Sequence, residues 1–400
     1  MKSYFYKSVL LAGVCAGSAS AISLYDMAPS VGLPQSHAMQ CNAYARLGYD
    51  SNMNTSFGEK EASCYVNAGV GASYADFESV DKISYNVNLG ATKYLKNPSD
   101  DGKTMYADCG LSASMVHSFS ASSSYMASLS MTYSPEPDYA SGVSASRRQG
   151  DCLYWSFNNS YHEAMDARWS WNVGASYSGN LYSETEFQYD DRQYLSANAG
   201  LSYRATELLS YNTSLSYRYD FRDKGFNSNN LTCSIGFSLA LDPVSSCCGN
   251  LGLQTKQVDG EVFLSPNLYL GYNRKVSEGL SASAFISLSN ENVDTYRISG
   301  DYLSDLALRV GVNSTYTLSP AVSFVFGLSA VHNNYSRGTN RMADETSITI
   351  EPTVGMDYRF SEQLTGNIRY AYTWYDIDRG STYSEGYTRH NVSAGVTYSF

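Results

Sequence analysis

The last ten residues of the chain, Asn391-Val-Ser-Ala-Gly-Val-Thr-Tyr-Ser-Phe400, alternate between two kinds of side chain. The apolar ones are Val392, Ala394, Val396, Tyr398 and Phe400, and each residue between them is small or polar. Successive side chains of a strand point to opposite faces. This stretch therefore predicts a β-strand with one apolar face and one polar face.

The same alternation recurs upstream, with no helical-period stretch of comparable length and no composition break that would separate two domains. Clear copies lie within residues 364–374, 348–360, 322–328, 306–312, 231–239, 209–217, 195–203 and 66–74. From residue 38 to residue 400 the pattern predicts about eighteen strands, and since residues 152–171 are ambiguous, about sixteen is the alternative.

The connections between these strands alternate in length and composition. One set is tight, within residues 119–123, 204–208, 242–246, 275–279, 318–321 and 360–363. The other set is long and polar, at about residues 50–61, 96–103, 134–151, 177–191, 222–229, 290–301, 332–345 and 375–387. Short periplasmic turns and long extracellular loops are typical of an outer-membrane barrel.

The composition separates this fold from a soluble all-β sandwich. The mean hydropathy is -0.31, and the chain after residue 21 has no apolar run near the ~18 residues that a membrane helix needs. A sandwich of this length needs many more large apolar residues that point inward, whereas here the second face is Ser, Thr, Asn and Arg. We therefore predict an all-β fold, a transmembrane antiparallel up-and-down β-barrel.

The first residues predict export. Lys2 and Lys7 flank the start of a short apolar run that ends in small residues, which is the layout of a cleaved secretory signal peptide. We expect a signal peptide at residues 1–21, a short periplasmic segment at 22–37 and a single outer-membrane barrel at 38–400. Cleavage removes two lysines and no acids, which moves the formal net charge from -11 to -13.

Several functional classes are not expected. So acidic a chain is a poor binder of nucleic acid. The five histidines form no H-E-x-x-H pattern, and there is no G-x-S-x-G elbow or glycine-rich phosphate loop, so we expect no enzyme, no catalytic residue, no cofactor and no resident metal. Calcium at the acidic loops, near Asp190-Asp191 or near Asp376 and Asp378, is a lesser alternative.

Seven cysteines follow the predicted cleavage site, and they form no C-x-x-C knuckle. They are Cys41, Cys64, Cys109, Cys152, Cys233, Cys247 and Cys248. An odd number leaves at least one thiol unpaired, so we interpret most of them as small apolar residues, with a disulfide or an intermolecular cross-link as the alternative. Cys247-Cys248 is the pair for which that alternative is strongest.

The polar face carries recurring charged residues that would point into the interior. The predicted lumen-lining residues are Arg46, Arg204, Arg218, Arg309, Arg359, Arg369, Asp305, Glu351 and Asp357. In a wide barrel, charges at a constriction select ions, because a fixed charge raises the local concentration of its counter-ion. The alternative is that the arginines pair with neighbouring acids and stiffen the wall. A sugar-stacking role for inward tyrosines such as Tyr44 is a lesser possibility.

With these residues in view, the chain resembles outer-membrane β-barrels of the porin type in Gram-negative bacteria, in particular the second β-barrel porin family. The resemblance rests on Gly48-Tyr-Asp-Ser-Asn52, on Leu215-Ser-Tyr-Arg-Tyr-Asp-Phe-Arg-Asp223 and on the ending 391–400. It implies an outer-membrane location, contact with lipid and lipopolysaccharide, and a terminal Phe400 that the barrel assembly machinery recognises.

Two functional hypotheses remain open. The first is a porin-like channel for passive diffusion of small hydrophilic solutes or ions, which would carry current in a bilayer and could form a homo-oligomer. The second is a structural or adhesive surface barrel with a blocked lumen, whose long outer loops bind a host, a phage or an exopolysaccharide. The segment at residues 134–151 could be a plug or an adhesive loop.

Overall fold

The computed structural model describes residues 39–53, 58, 60–77, 80–96, 104–134, 151–183, 191–222, 226–291, 303–336, 345–378 and 384–400. The strands are β1 (Met39–Asp50), β2 (Ser63–Asp76), β3 (Asp81–Tyr94), β4 (Met105–Ser118), β5 (Ser123–Ser134), β6 (Cys152–Ala164), β7 (Trp169–Tyr182), β8 (Arg192–Arg204), β9 (Leu209–Phe221), β10 (Ser228–Asp242), β11 (Ser245–Val258), β12 (Glu261–Lys275), β13 (Leu280–Glu291), β14 (Ser304–Ser319), β15 (Val322–Ser336), β16 (Glu345–Arg359), β17 (Leu364–Asp378) and β18 (Ser384–Ser399). The expected signal peptide, the segment 22–37 and residues 135–150 of the plug or adhesive segment lie outside the described residues.

The eighteen strands form one closed antiparallel sheet. Each strand pairs with the next along the chain, and β1 also pairs with β18, from Asn42 opposite Ser399 to Asp50 opposite Asn391. The terminal Phe400 continues this ladder, because its N–H donates to the carbonyl oxygen of Cys41 at 2.9 Å. The all-β antiparallel barrel of eighteen strands is thus confirmed.

The sixteen-strand alternative is wrong, since the ambiguous stretch forms two strands, β6 and β7. A four-residue turn joins them, and the N–H of Met165 donates to the carbonyl oxygen of Trp169 at 2.9 Å. The carboxylate of Asp166 accepts hydrogen bonds from the N–H groups of Arg168 at 2.6 Å and Trp169 at 2.7 Å.

The connections at one end of the barrel are short and those at the other end are longer. The sequence pattern did not predict the one exception. At the end that carries the longer loops, β11 and β12 are joined only by Asp259 and Gly260. Their φ angles are 49° and 78°. Both are positive, as a two-residue hairpin turn that matches the twist of its strands requires, and Asp-Gly is a sequence typical of it.

The polar face of the sheet is the concave one. Neighbouring strands lie ~4.8 Å apart, so two strands that are separated by a third lie about twice that distance apart. Side chains on such strands come into contact on the concave face of a curved sheet, because they converge there. The hydroxyl of Tyr65 on β2 donates to Asn391 Oδ1 on β18 at 3.2 Å, across β1. Asn88 Nδ2 on β3 donates to the hydroxyl of Tyr44 on β1 at 3.4 Å, across β2.

The convex face is apolar and exposed. Val70, Ile235 and Leu264 are 52%, 64% and 69% exposed. Aromatic pairs lie on this face near the short turns: the rings of Trp169 and Tyr203 lie 4.7 Å apart. Such an apolar surface with aromatic residues near its edge fits the lipid-facing wall of a transmembrane barrel. Among the described residues, no helix has the length and apolarity to cross a membrane.

The packed core of the molecule lies inside the barrel at the long-loop end. Met53, Tyr65, Tyr94 and Tyr106 form one buried cluster there. Toward the short-turn end the concave face opens, and Asn86 on β3 and Asn273 on β12 are exposed. The interior is therefore narrowest near the long loops.

Candidate lumen wall

By strand alternation the nine residues predicted to line the lumen share the concave, polar face. Their strands are β1 for Arg46, β8 for Arg204, β9 for Arg218, β14 for Asp305 and Arg309, β16 for Glu351, Asp357 and Arg359, and β17 for Arg369. They do not form one ring, because they are spread along the length of the barrel.

Three of these arginines each pair with an acid on the same wall. The guanidinium of Arg369 lies 2.5 Å from Asp357 Oδ1, and its second terminal nitrogen donates to the carbonyl oxygen of Met356 at 3.0 Å. Glu291 Oε1 accepts a hydrogen bond from Arg309 Nε at 2.9 Å, and Glu291 Oε2 accepts one from Nη2 at 2.5 Å.

The third pair is on a single strand. Arg218 Nε lies 3.0 Å from Asp220 Oδ1, two residues further along the same face of β9. Asp220 also accepts hydrogen bonds from Ser228 at 2.8 Å and from Asn230 at 3.1 Å. These contacts hold the charges against the wall, because each arginine already has its counter-ion.

Two of the predicted acids have different surroundings. Glu351 is 4% exposed, and its Oε2 accepts a hydrogen bond from the hydroxyl of Thr373 at 2.8 Å. Asp305 is 6% exposed and lies opposite Glu291 of β13 and Tyr335 of β15 in the register. Arg204 and Arg359 lie apart from Glu351 and Asp305, at the short-turn ends of their strands.

An ion pair that the sequence did not single out closes the barrel at the long-loop end. Arg389 on β18 and Asp50 on β1 are 2% and 0% exposed. Arg389 Nε donates to both carboxylate oxygens of Asp50 at 3.0 Å, and Nη2 donates to Oδ2 at 2.5 Å. The two residues are far apart in the chain, so only the β1–β18 pairing brings them together.

The end of β13 lies inside the wall formed by β11 and β12. The ladder between β12 and β13 ends at Leu268 opposite Leu288. Beyond it, Asn290 is 4% exposed, its Nδ2 donates to Ser265 Oγ at 3.0 Å, and Gln254 Nε2 donates to its carbonyl oxygen at 2.7 Å. Lys256 is 2% exposed and donates to the carbonyl oxygen of Glu291 at 2.7 Å. This inward step narrows the interior on that side.

All seven cysteines lie on described strands, and none of them forms a disulfide. Cys247 and Cys248 point to opposite faces of β11, since Cys247 pairs with Leu239 of the apolar face and Cys248 with Ser238 of the polar face. Cys233 is exposed on the apolar face. Within the described chain there is also no group of three His, Cys, Asp or Glu residues arranged to hold a metal ion.

A closed antiparallel barrel of eighteen strands, apolar outside and polar inside, has the fold of the outer-membrane porins. No protein-family model matches the sequence, and no curated protein matches it.

Solved structures that include an outer-membrane protein, OpdK, are similar in fold. OccAB2 from Acinetobacter baumannii has a TM-score of 0.50 and 13% identity, over 91% of this chain and 99% of that chain. OccK1 (OpdK) from Pseudomonas aeruginosa has a TM-score of 0.49 and 12% identity, over 92% of this chain and 100% of that chain. OccAB4 from Acinetobacter baumannii has a TM-score of 0.48 and 12% identity, over 92% of this chain and 99% of that chain. At these identities the likeness concerns the fold.

Proposed function

We propose that this protein is an outer-membrane channel through which small hydrophilic solutes or ions diffuse passively. The observation that carries the proposal is the exposed polar inner face of a closed eighteen-stranded barrel, where Asn86, Asn198 and Asn273 remain open to water. Side chains fill the interior of a barrel of ~8 strands, whereas barrels of ~16–18 strands leave an aqueous channel.

The charged residues support a weakly selective channel. Arg218, Arg309 and Arg369 are compensated by acids on the same wall, so they present little net charge to a passing ion. This favours the hypothesis that these arginines stiffen the wall over the hypothesis that they select ions. The nine predicted residues line the lumen in this proposal, and they include Arg46, Arg204 and Arg359 as further charges of the inner face.

The proposal includes a cellular setting. The protein would reach the outer membrane of a Gram-negative bacterium through the general secretory route, with residues 1–21 removed and residues 22–37 left in the periplasm. Phe400 would be the signal for the barrel assembly machinery, which its exposed ring (65%) at the end of β18 supports. Lipid and lipopolysaccharide would surround the barrel, alone or as a homo-oligomer, and the protein would have no enzymatic activity.

Conductance measurement tests the proposal. The protein without residues 1–21 is refolded in detergent and inserted into a planar bilayer, and the reversal potential is measured in a salt gradient. We expect stable single-channel steps with a small reversal potential. A folded barrel, shown by β-type circular dichroism and heat-modifiable migration on a gel, that carried no current would refute the channel.

One observation favours a second candidate, the surface barrel with a blocked lumen. Charged residues of the inner face at the long-loop end are buried: Asp50, Asp220 and Lys256 are 0%, 1% and 2% exposed. In that case the long loops would bind a partner. Deletion of residues 135–150 distinguishes the two, because it should raise conductance in a channel and abolish binding in an adhesive barrel.

A further inference from the structure

Asparagine is depleted in β-strands, yet it recurs on the concave face of this barrel. We define the amide belt as Asn86 (β3), Asn172 (β7), Asn198 (β8), Asn267 and Asn273 (β12) and Asn313 (β14). None of these six side chains is buried. Among the described residues, none of the six amide groups hydrogen-bonds to the protein, so their donors and acceptors are available to a solute.

Glycines on neighbouring strands make room for part of this belt. Asn172 lies opposite Gly200, and Asn198 lies opposite Gly174, in the β7–β8 register. A Cβ atom added to Gly200 would stand 2.5 Å from Asn172 Oδ1, and one added to Gly174 would stand 2.7 Å from Asn198 Oδ1. Each amide therefore lies over a glycine, along the wall, in space that a larger residue would fill.

The belt differs in charge from the rest of the polar face. Arg369 and Arg309 are occupied by Asp357 and Glu291, as described above. Beside these pairs the wall offers neutral groups: amides and the hydroxyls of serine pairs, such as Ser84 with Ser114 at 2.7 Å. Such groups form hydrogen bonds with a charged solute but supply no opposite charge, so they offset less of its lost hydration than an ion pair would.

A primary amide has two N–H donors and a carbonyl oxygen that accepts two hydrogen bonds, and it carries no charge. Each hydroxyl of a sugar or polyol donates and accepts in the same way. We propose that the amide belt is a binding site for neutral, hydroxyl-rich solutes, with saccharides as the substrate class of the channel. This inference rests on the proposed channel function, and the experiment below separates the failure of one from the failure of the other.

The experiment is titration of the ion current with a neutral saccharide, maltotriose, and with gluconate as the charged comparison. The inference predicts that the conductance falls with maltotriose concentration and reaches a plateau, as for binding to a site. With gluconate, the conductance should change only in proportion to the conductivity of the solution. The triple substitution Asn172→Ala, Asn198→Ala and Asn313→Ala should weaken maltotriose binding by about tenfold or more, because it removes three available hydrogen-bonding groups. Its conductance without sugar should stay at or above that of the unsubstituted protein.

Two further variants test the geometry. Gly200→Ala retains all six asparagines but displaces the amide of Asn172, so it should weaken maltotriose binding. The three atoms nearest to the new Cβ all belong to the amide group of Asn172. The matched control is Asn159→Ala on the convex face of β6, where the Asn159 side chain accepts a hydrogen bond from the Tyr125 hydroxyl. It should leave the maltotriose titration unchanged.

The outcomes are distinct. A channel that conducts, and whose current responds to maltotriose no more than to gluconate, overturns the sugar site and leaves the channel standing. A saturable block that the triple substitution does not weaken also overturns the assignment to the amide belt. If the folded barrel carries no current, maltotriose binding is measured by calorimetry on the refolded protein, and absence of heat there overturns the site.

Discussion

Arg389→Met is the substitution whose cost the structure defines most sharply. The guanidinium makes three hydrogen bonds to a carboxylate that is 0% exposed, at the seam where β18 meets β1. Removing it leaves the charge of Asp50 buried without this guanidinium, while the N–H of Asn52 still donates to Asp50 Oδ1 at 3.1 Å. Breaking a buried ion pair from one side costs about 3–5 kcal/mol.

Replacing both partners should cost much less. In Asp50→Leu with Arg389→Met, neither charge of this pair is left buried, and replacing a buried ion pair by apolar residues of similar volume is often neutral or stabilising. The prediction is therefore non-additive: each single variant loses several kcal/mol and the double variant less than either. Residues in direct contact commonly show such coupling.

The assay is reversible urea unfolding of the refolded barrel in lipid vesicles, followed by tryptophan fluorescence for the four variants of the cycle. Val70→Leu, on the convex face, serves as a control that keeps the pair intact. Single-variant costs below about 1 kcal/mol, the range of an exposed ion pair, would refute the reasoning that this seam is closed by a desolvated pair.

Three further predictions follow from the two faces and from one turn. Val70→Arg should lower the free energy of unfolding in vesicles by about 2–4 kcal/mol, because it places a charge in lipid, whereas Asn86→Arg on the inner face should change it little. In a variant whose other cysteines are serine, Cys233 should react with a membrane-soluble maleimide and not with a water-soluble charged thiol reagent; equal labelling by both would contradict its lipid-facing position. The N–H groups of Arg168 and Trp169 hold the pKa of Asp166 below its usual value, so its stabilising contribution is present above the unfolded pKa and is lost as the pH falls through the lower folded pKa. The difference in urea midpoint between the unsubstituted protein and Asp166→Asn should therefore vanish in strong acid, and a difference that persists there would contradict this account.

Alternation, together with the alternating lengths of the connections, was sufficient to predict the barrel. Each strand repeats the period of two that places apolar residues on the lipid side, so the shared face of the nine charged residues follows without knowledge of register. The strand count was not fixed in this way, because the pattern is ambiguous at residues 152–171. The one short connection at the long-loop end also had a signal, because Asp259-Gly260 between two alternating segments is typical of a two-residue hairpin.

Which acid each arginine contacts could not be predicted in every case without the register between strands. Arg218 and Asp220 are two residues apart on one strand, and their contact can be predicted from the period. Arg309 with Glu291 depends on how β13 and β14 align, and Arg389 with Asp50 depends on closure of the whole barrel.

Alternation also misplaces Asn290 at the end of β13. It puts Asn290 on the convex face, whereas the side chain contacts Ser265 of the concave face, because β13 leaves the ladder with β12 after Leu288. Pro266 lies on β12 just beyond this point and has no N–H to donate to a neighbour. The proline in a strand was therefore a signal for the inward step.

The central claim, a water-filled passage lined by the polar face, is tested most directly by cysteine substitution at two adjacent positions of β8. In a channel without native cysteines, Asn198→Cys points inward and Ala197→Cys points toward lipid. A charged, water-soluble thiol reagent should reduce the single-channel current of the first variant and leave that of the second unchanged. Equal effects at both positions, or none at Asn198→Cys in an active channel, would contradict the account.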